Sequence, residues 1–485
     1  MADRSVYTLD EALSTVGFGK GQGLALIYAG LGWFSEAMEI MILSFIGPVV
    51  KSEWGLSSNQ ESLITTVVFA GMLIGAYSWG FVSDTYGRTK SMLGVAIVTG
   101  GAGFLCAFSP NYISLVVLRC VVGIGVAGGH VFTSWFLEFV PTPNRGTWMV
   151  IFSTFWSIGT IFEAALAWIV MPSLGWRWLL VLSSLPCFVL LLFYVLIPET
   201  PRYLCTKGRV NEARAVLEKV AMLNGTELPP GTLVFDQTKD VDEEFASSEN
   251  THLLNPLNKV QDSSETRATS PLVLLSPKLF RTTLLFWFVY LGNAFSYYGI
   301  VLLIAELSSG QSECSSTTWL SRNIQDSSLY VDVFITTLAE LPGLVLSAVI
   351  LDKVGRKLSM AIMLLLAIVL LFPLVSHQNE IVTTALLFGV RMSSSATSTV
   401  TCIYTPEVYP TSIRSTGVGI AIAIGRIGGM LCPLVTVGLV SGCHQTAAVS
   451  LIEIVLILLG ICVLLFPFET KGKNLVDSAE EFTLK

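Results

Sequence analysis

The sequence has little of what metal sites and ATP-driven enzymes require. Only four of its 485 residues are His. Its nine Cys form no C-x-x-C pair, which argues against a metal centre. Its two Gly-Lys pairs, at residues 19–20 and 472–473, lack the spacing and the following Ser or Thr of a phosphate-binding loop. The sequence therefore predicts no metal and no cofactor, and nothing in it resembles an enzyme.

Charged residues are also scarce, at 13%, whereas 52% of the residues are hydrophobic and the mean hydropathy is +0.68. These values lie far from those of a soluble domain. A membrane-spanning helix needs about 20 mostly apolar residues. Twelve such runs predict an all-α protein of the lipid bilayer: Leu24–Val49, Leu63–Val82, Met92–Phe108, Tyr112–Phe136, Trp148–Met171, Trp178–Ile197, Leu284–Ala305, Tyr330–Ile350, Leu358–Val375, Ile381–Cys402, Gly417–Val440 and Ala447–Phe466.

The distribution of Lys and Arg predicts the orientation, because cytoplasmic loops retain positive charge. With both termini cytoplasmic, 22 of the 28 Lys and Arg lie inside, and three lie within helices. Only Lys51, Arg177 and Arg322 then lie outside. The net charge of −7 comes largely from acidic residues in the central loop and tails, so no nucleic-acid partner is predicted.

One long polar segment divides the apolar runs into two sets of six. We predict a cytoplasmic N-terminal tail (1–20), a six-helix bundle (21–200), a cytoplasmic loop (201–281), a second six-helix bundle (282–467) and a cytoplasmic C-terminal tail (468–485). Within the loop, Val210, Ala213, Leu217 and Val220 have the spacing of a short amphipathic helix. The following residues, 228–270, have the composition of a disordered linker.

Charged motifs recur in both halves at an offset of about 269 residues. The turn GFVSDTYGRTK returns as VILDKVGRK, and the E-x-x-P-x-x-x-R string that begins at Glu138 returns at Glu407. Topogenic charge would explain the basic residues but not the paired acids. Duplicated six-helix units are typical of carriers that rock around a central site. We therefore predict gating latches that pair across the two bundles, formed by Asp84, Gly87, Arg88, Glu138, Arg145, Asp352, Arg356, Glu407 and Arg414.

Five longer strings carry a resemblance to a known family: GLGWFSEAMEIMIL, SWFLEFVPTPNRGTW, PETPRYL, GNAFSYYG and GRIGGMLCP. Together they resemble the plant organic cation/carnitine transporter 7 group of the major facilitator superfamily. That group is similar to NiaP-type nicotinate transporters and to synaptic vesicle protein 2-related carriers. The resemblance implies two pseudo-symmetric six-helix bundles, alternating access, and a monomer in the plasma membrane. An ENTHLL string at residues 249–254 fits a sorting signal and keeps the vacuolar membrane as an alternative.

Two acids in the first membrane helix are candidates for proton coupling. Glu36 and Glu39 are three residues apart and share a helix face, about 4.5 Å apart along the axis. Desolvated carboxylates placed in this way disfavour double ionisation and can bind a proton during a transport cycle. The alternative is that one of the pair forms a salt bridge with Arg119. Proton-driven relatives often carry an acid at this point, so the resemblance favours coupling.

Arg426, in the eleventh helix, is the main candidate for substrate recognition. The resemblance implies that an Arg at this position marks transporters of anions. A guanidinium in a low-dielectric cavity is suited to bidentate binding of a carboxylate. The alternative is that Arg426 is an internal partner of Glu340 or Glu163, which are themselves candidates for the binding site.

The seventh helix adds groups that suit a flat ring. Tyr297 or Tyr298 could stack on such a ring while Asn293 hydrogen-bonds to its nitrogen. Trp156 in the fifth helix is a further candidate, and packing against neighbouring helices is the alternative for all of these aromatic residues.

The function predicted from these residues and the resemblance is proton-coupled transport of a small aromatic carboxylate such as nicotinate. Its N-methyl derivative trigonelline would also suit Arg426 and the aromatic side chains. The alternatives are an organic cation or carnitine transporter, in which Glu36 or Glu39 binds the cation, and a non-transporting receptor with a carrier fold. Cys314 and Cys443, both predicted to face outside, are either a disulfide or two free thiols.

Overall fold

The computed structural model describes residues 6–141, 145–234, 274, 276, 279–310, 327–376, 378–409, 414–441, 445–467 and 469–470. Its N-terminal half contains strand β1 (Val6–Tyr7) and the helices α1 (Leu9–Val16), α2 (Lys20–Met41), α3 (Leu43–Trp54), α4 (Ser58–Tyr86), α5 (Arg88–Cys106), α6 (Tyr112–Val126), α7 (Gly129–Leu137), α8 (Arg145–Leu174) and α9 (Trp176–Phe193). A 3₁₀ turn follows at Tyr194–Leu196.

The central loop contributes α10 (Pro201–Thr206), α11 (Val210–Asn224) and strand β2 (Thr232–Leu233). The C-terminal half contains α12 (Phe280–Gly310), α13 (Ser327–Thr337), α14 (Glu340–Val354), α15 (Arg356–Leu371), α16 (Glu380–Val408), α17 (Arg414–Ser441) and α18 (Gln445–Leu464), with a 3₁₀ turn at Phe372–Val375. All twelve predicted apolar runs are helical. Three of them are divided in two, as α2 with α3, α6 with α7, and α13 with α14.

Eleven of the described segments are long and apolar enough to cross a membrane. The tenth predicted run, α16, is not among them because ten of its 29 residues are Ser or Thr and it also carries Arg391. Hydroxyls in this helix donate to the carbonyl one turn earlier, as from Thr397 to Ser393, from Thr401 to Thr397 and from Thr405 to Thr401. These bonds satisfy the hydroxyl groups inside the helix, so α16 packs as a long helix despite its polarity.

The N-terminal segment, predicted as a polar tail, is folded. Thr8 and Glu11 form a capping box at the start of α1, whose buried face includes Leu9 and Leu13. This face packs with Leu217 of α11, a helix in the loop whose buried residues include Ala213, Leu217 and Val220. Strand β1 pairs in parallel with β2. The N-terminal segment and the central loop, both predicted to be cytoplasmic, are therefore packed against each other.

The two halves meet in the middle of the bundle and at one end of it. We call the end that carries the turns at Gly87 and Gly355 the basic-turn end. Away from this end, contacts join α4, α3 and α8 of the first half to the second half. Thr66 Oγ1 lies 3.4 Å from Met430 O. Three pairs of aromatic rings also meet there, with centroid distances of 4.6 Å for Phe69 and Tyr298, 6.0 Å for Phe45 and Tyr330, and 5.7 Å for Trp168 and Phe334.

Candidate functional site

The first basic turn is held by charges within the N-terminal half. Gly87 has a φ of 110° and joins α4 to α5. Arg88 Nε donates to Glu138 Oε1 at 3.3 Å, and Glu199 Oε1 accepts the backbone N–H of Arg88 at 3.1 Å. A carboxylate at a helix N-terminus is favoured by the helix dipole. A Cβ at Gly87 would lie 2.3 Å from Glu199 Oε2, so both the backbone angle and the close approach require glycine.

The second basic turn repeats this arrangement in the C-terminal half. Gly355 has a φ of 99°. Arg356 donates to both oxygens of Glu407, at 2.9 and 3.0 Å, and its backbone N–H donates to Glu469 Oε1 at 2.7 Å. The two turns are therefore braced by the same constellation of charges in each half.

These described pairs lie within a half, whereas the sequence analysis predicted pairing across the two bundles. Each Arg and its acid lie on neighbouring helix ends of one bundle, so the pairs fix the ends of that bundle. Glu199 and Glu469, which lie in the repeated P-E-T and F-E-T strings, complete the two turns, although they are not among the residues predicted for the latches. The side chains of the other predicted latch residues, Asp84, Arg145, Asp352 and Arg414, lie outside the described part.

A buried ion pair joins α2 to α6 in the N-terminal half. Arg119 Nη1 lies 3.1 Å from Glu39 Oε2, and both side chains are at most 1% exposed. The sequence allowed two possibilities for the first-helix acids, proton coupling or a salt bridge with Arg119, and Glu39 forms that salt bridge. Glu36 does not share this pair, since its Oε1 lies 3.9 Å from Arg426 Nη2 of the other half. The two acids therefore have different partners.

Arg426 lies on α17 where the two halves meet, and its side chain remains 20% exposed. Its Nη1 lies 3.5 Å from the hydroxyl of Tyr298 on α12, whose ring packs against Phe69 of α4. The alternative partners do not pair with it among the described contacts: Glu340 binds Arg391, and Glu163 accepts hydrogen bonds from Ser183. Arg426 is thus a partly exposed guanidinium at the junction of the halves, close to an acid and a tyrosine.

A second polar cluster crosses the junction at Glu340, the first residue of α14. Arg391 on α16 donates to Glu340 Oε1 at 2.9 Å, and the Tyr297 hydroxyl donates to the same oxygen at 2.7 Å. Thr160 of the N-terminal half donates to Oε2 at 3.1 Å. Both charged side chains are 1% exposed. This network links three helices of one half to α8 of the other, and Thr160 carried no sequence signal.

The remaining predicted residues lie at varying distances from this junction. Ser398 donates to Asn293 Oδ1 at 3.3 Å, so Asn293 faces α16. The Trp156 ring lies 5.2 Å from that of Trp33. Glu163 is buried between α8 and α9, where Ser183 lies 2.8 and 2.9 Å from its two oxygens. The structure does not bring Glu163 to Arg426. Cys314 and Cys443 lie outside the described residues.

The described junction therefore offers a guanidinium, a carboxylate and phenol groups between two bundles. Such a set can bind an organic acid through Arg426, or a cation through Glu36, with Tyr298 beside either ligand. No group of three potential metal ligands occurs among the described residues.

Comparisons with known proteins identify close relatives along almost the whole chain. The family model described as "Sugar (and other) transporter" matches residues 28–482. The chain is 56% identical to organic cation/carnitine transporter 7 of Arabidopsis thaliana over 493 residues, which covers 99% of this chain and 98% of the relative. It is 36% identical to synaptic vesicle 2-related protein of Xenopus laevis, covering 98% of this chain and 83% of that protein.

Solved structures share the fold at low sequence identity. The inward open conformation of the xylose transporter XylE from E. coli matches with a TM-score of 0.69 and 17% identity, covering 96% of this chain and 99% of that one. A crystal structure of a D-xylose-proton symporter matches with a TM-score of 0.67 and 18% identity, covering 93% and 99%. These likenesses confirm the predicted twelve-helix major facilitator fold.

Proposed function

Because the chain belongs to the sugar (and other) transporter family of the major facilitator superfamily, and so is a multi-pass membrane transporter, we propose that it carries a small aromatic carboxylate such as nicotinate with protons. The observation that supports this most is Arg426, a partly exposed guanidinium at the junction of the halves. A guanidinium binds a carboxylate in a bidentate manner. Trigonelline carries the same carboxylate and is included in the proposed substrate class.

The groups around Arg426 suit an aromatic acid. Tyr298 lies beside the guanidinium, and Tyr297 lies next to it on α12, with the two rings 5.2 Å apart at 81°. A flat ring held by its carboxylate at Arg426 would pack against one of these rings. We propose Asn293 and Trp156 as outer members of this site, with Glu340 holding Tyr297 in place.

Three further parts of the proposal follow from charge and from the fold. The excess of Lys and Arg at the basic-turn end supports a cytoplasmic location for that end and for both termini. The contacts between halves away from the basic-turn end support a carrier that faces the cytoplasm in this conformation. We place it in the plasma membrane as a monomer. In the proposed proton-coupling set of Glu36, Glu39 and Arg119, Glu36 would bind the proton, and the Glu39–Arg119 pair would hold the helix that carries Glu36 against α6.

A second candidate is the transport of an organic cation or carnitine. It is favoured by the name of the Arabidopsis relative, organic cation/carnitine transporter 7, and by the position of Glu36 at the junction. In that case Glu36 would bind the cation, and Arg426 would serve as an internal partner.

The test is uptake of labelled nicotinate into proteoliposomes that hold the purified protein, with an inward proton gradient and with the gradient collapsed. We expect accumulation only with the gradient, and its loss in Arg426→Ala. The matched control is Arg177→Ala, an exposed Arg at the opposite end of the bundle, which should retain uptake. Accumulation of carnitine or another organic cation, with none of nicotinate, would overturn the carboxylate proposal and favour the second candidate.

A further inference from the structure

The two carboxylate oxygens of Glu36 lie in different environments. Oε1 points to the junction of the halves, 3.9 Å from Arg426 Nη2. Oε2 points into the N-terminal half, where it is buried and has no hydrogen-bond partner among the described residues. A Cβ on residue 129 would lie 1.5 Å from Oε2, so the carboxylate fits only because α7 begins with Gly129. Its position is therefore built into the helix packing.

A small cavity lies on the inner side of Glu36, between α2, α5, α7 and α9. It is lined by Glu36, Thr99, Ser35 and Cys187 among others, and its volume of about 10 Å³ is at the lower limit of the space that holds one water. Thr99 Oγ1, like Glu36 Oε2, is buried without a hydrogen-bond partner in the part of the chain that the structure describes. Two residues with polar atoms that have no partner in the described structure thus line one small space behind the junction.

Glu36 and Glu39 differ in how well their charges are compensated. Glu39 lies 3.1 Å from Arg119, an ion pair inside one rigid half. Among the described residues, the ion pair of Glu36 is the longer contact with Arg426, which belongs to the other half and would move relative to Glu36 during rocking. The other titratable groups that face Glu36 are Tyr298 from α12 and Cys187 from α9. Neither of these carries a positive charge that could replace Arg426.

We propose that Glu36 and the substrate carboxylate compete for the Arg426 guanidinium, so that a proton bound to Glu36 frees Arg426 for the substrate. This inference rests on the proposed function. When Glu36 takes up a proton on Oε2, beside the inner cavity, Arg426 loses its carboxylate and gains that of the substrate. The junction then holds one guanidinium and one ionised carboxylate in both states. After the substrate leaves, Glu36 releases the proton and pairs with Arg426 again. Glu39 and Arg119 stay paired throughout.

A ligand-free measurement tests the first half of this inference. Infrared difference spectra of the purified protein, recorded as the pH is lowered, should show the band of a buried protonated carboxyl group. We expect this band to be absent in Glu36→Gln and present in Glu39→Gln. In Arg426→Ala it should persist to higher pH than in the wild type, because the ionised form has lost its counter-charge; Arg177→Ala should leave it unchanged. A band that is lost in Glu39→Gln, or that Arg426→Ala does not move, would overturn the inference.

Binding of labelled nicotinate tests the second half. In the wild type the affinity should fall about tenfold per pH unit above the titration of Glu36, as expected when one proton and one ligand bind together. In Glu36→Gln the affinity should be high and independent of pH, whereas Glu39→Gln should keep the pH dependence. Nicotinate binding with an unchanged pH dependence in Glu36→Gln would overturn the competition while the proposed function stands. Absence of nicotinate binding in every variant, with the infrared result as expected, would overturn the proposed substrate and leave the link between Glu36 and Arg426 in place.

Discussion

The effect of a single substitution on the stability of this protein depends on whether it leaves a buried charge without its partner. Glu340 and Arg391 are each 1% exposed, and Glu340 accepts three described side-chain donors. Breaking such a pair by removing one partner leaves an uncompensated charge in a low-dielectric interior and costs about 3–5 kcal/mol. The effect of Glu340 on the stability of the fold can therefore be measured by unfolding the solubilised protein, without a transport assay.

Glu340→Gln should lower the Tm of the detergent-solubilised protein strongly, because Arg391 would be left buried without a counter-charge. The double variant Glu340→Gln with Arg391→Gln should recover most of the loss. Arg177→Gln removes one side of a pair that is 44% and 39% exposed, and it should change stability by less than about 1 kcal/mol. Equal Tm values for Glu340→Gln and Arg177→Gln would show that the buried pair does not stabilise the fold.

Individual side-chain partners were the part of the site that the sequence predicted least well. Arg119, Glu39, Arg426 and Glu36 were identified because charges are rare at membrane depth. The sequence placed Glu36 and Glu39 on one face and predicted one shared function, whereas the structure gives them Arg426 and Arg119 as separate partners. Helical periodicity fixes the direction of a side chain on its own helix but not which helix of the other half lies opposite.

At the scale of elements, α1, α2 and α11 are joined by the Asn224 side chain. Its Oδ1 accepts the backbone N–H of Gly21 at 2.9 Å, and its Nδ2 donates to Gln22 Oε1 at 2.8 Å. A Cβ on Gly19 would lie 2.4 Å from Asn224 Cγ, so the turn before α2 closes around this amide. One residue at the end of α11 thus fixes the loop helix against the first membrane helix.

Asn224→Ala should loosen α11 from the membrane bundle. Removing the amide leaves the backbone groups of the turn without partners, which costs about 1–3 kcal/mol. Hydrogen–deuterium exchange should become faster in α11 and in residues 17–22, while α5 and α6 keep their protection. Met222→Ala alters a side chain on the same helix that is 78% exposed, and it should leave exchange at the wild-type rate. Unchanged exchange in Asn224→Ala would refute the anchoring role.

The helices were predicted better from the sequence than the side-chain pairs that join them. Eleven of the twelve apolar runs correspond to helices that are long and apolar enough to span a membrane. The tenth, α16, is a helix as well, although its Ser and Thr residues lower its hydropathy. The amphipathic α11 followed from its spacing. The fold of residues 6–16 was not predicted, because the polar residues of this segment outweigh the short Thr8–Glu11 capping box and the apolar face behind it. The breaks within three spans were also missed, since hydropathy does not report local backbone geometry.

At the scale of the whole molecule, the two halves touch at the junction and toward the end opposite the basic turns. Thr66 on α4 lies against Met430 on α17 in this region. If transport requires the halves to tilt, these two positions must separate to open that end.

A disulfide between Thr66→Cys and Met430→Cys should therefore stop nicotinate uptake into proteoliposomes. Reduction should restore uptake, and each single cysteine variant should transport with or without oxidant. The cross-linked protein should still bind nicotinate, because the basic-turn end would remain free to open. Full uptake by a quantitatively cross-linked protein would contradict a rocking mechanism.

The two halves each carry a buried Arg on their fourth membrane span, Arg119 on α6 and Arg391 on α16, but they neutralise its charge in different ways. Arg119 pairs with an acid on the first span of its half, whereas Arg391 pairs with an acid on the second span of its own. This pairing bears on how the protein is made. An isolated α16, with its hydroxyls and an Arg near its centre, would partition weakly into lipid from the translocon. Glu340 is synthesised 51 residues earlier, so α14 is already in place as the partner that draws α16 into the bilayer. Biogenesis of the C-terminal half is thus expected to proceed by capture of one helix by another, and not by independent insertion of each span.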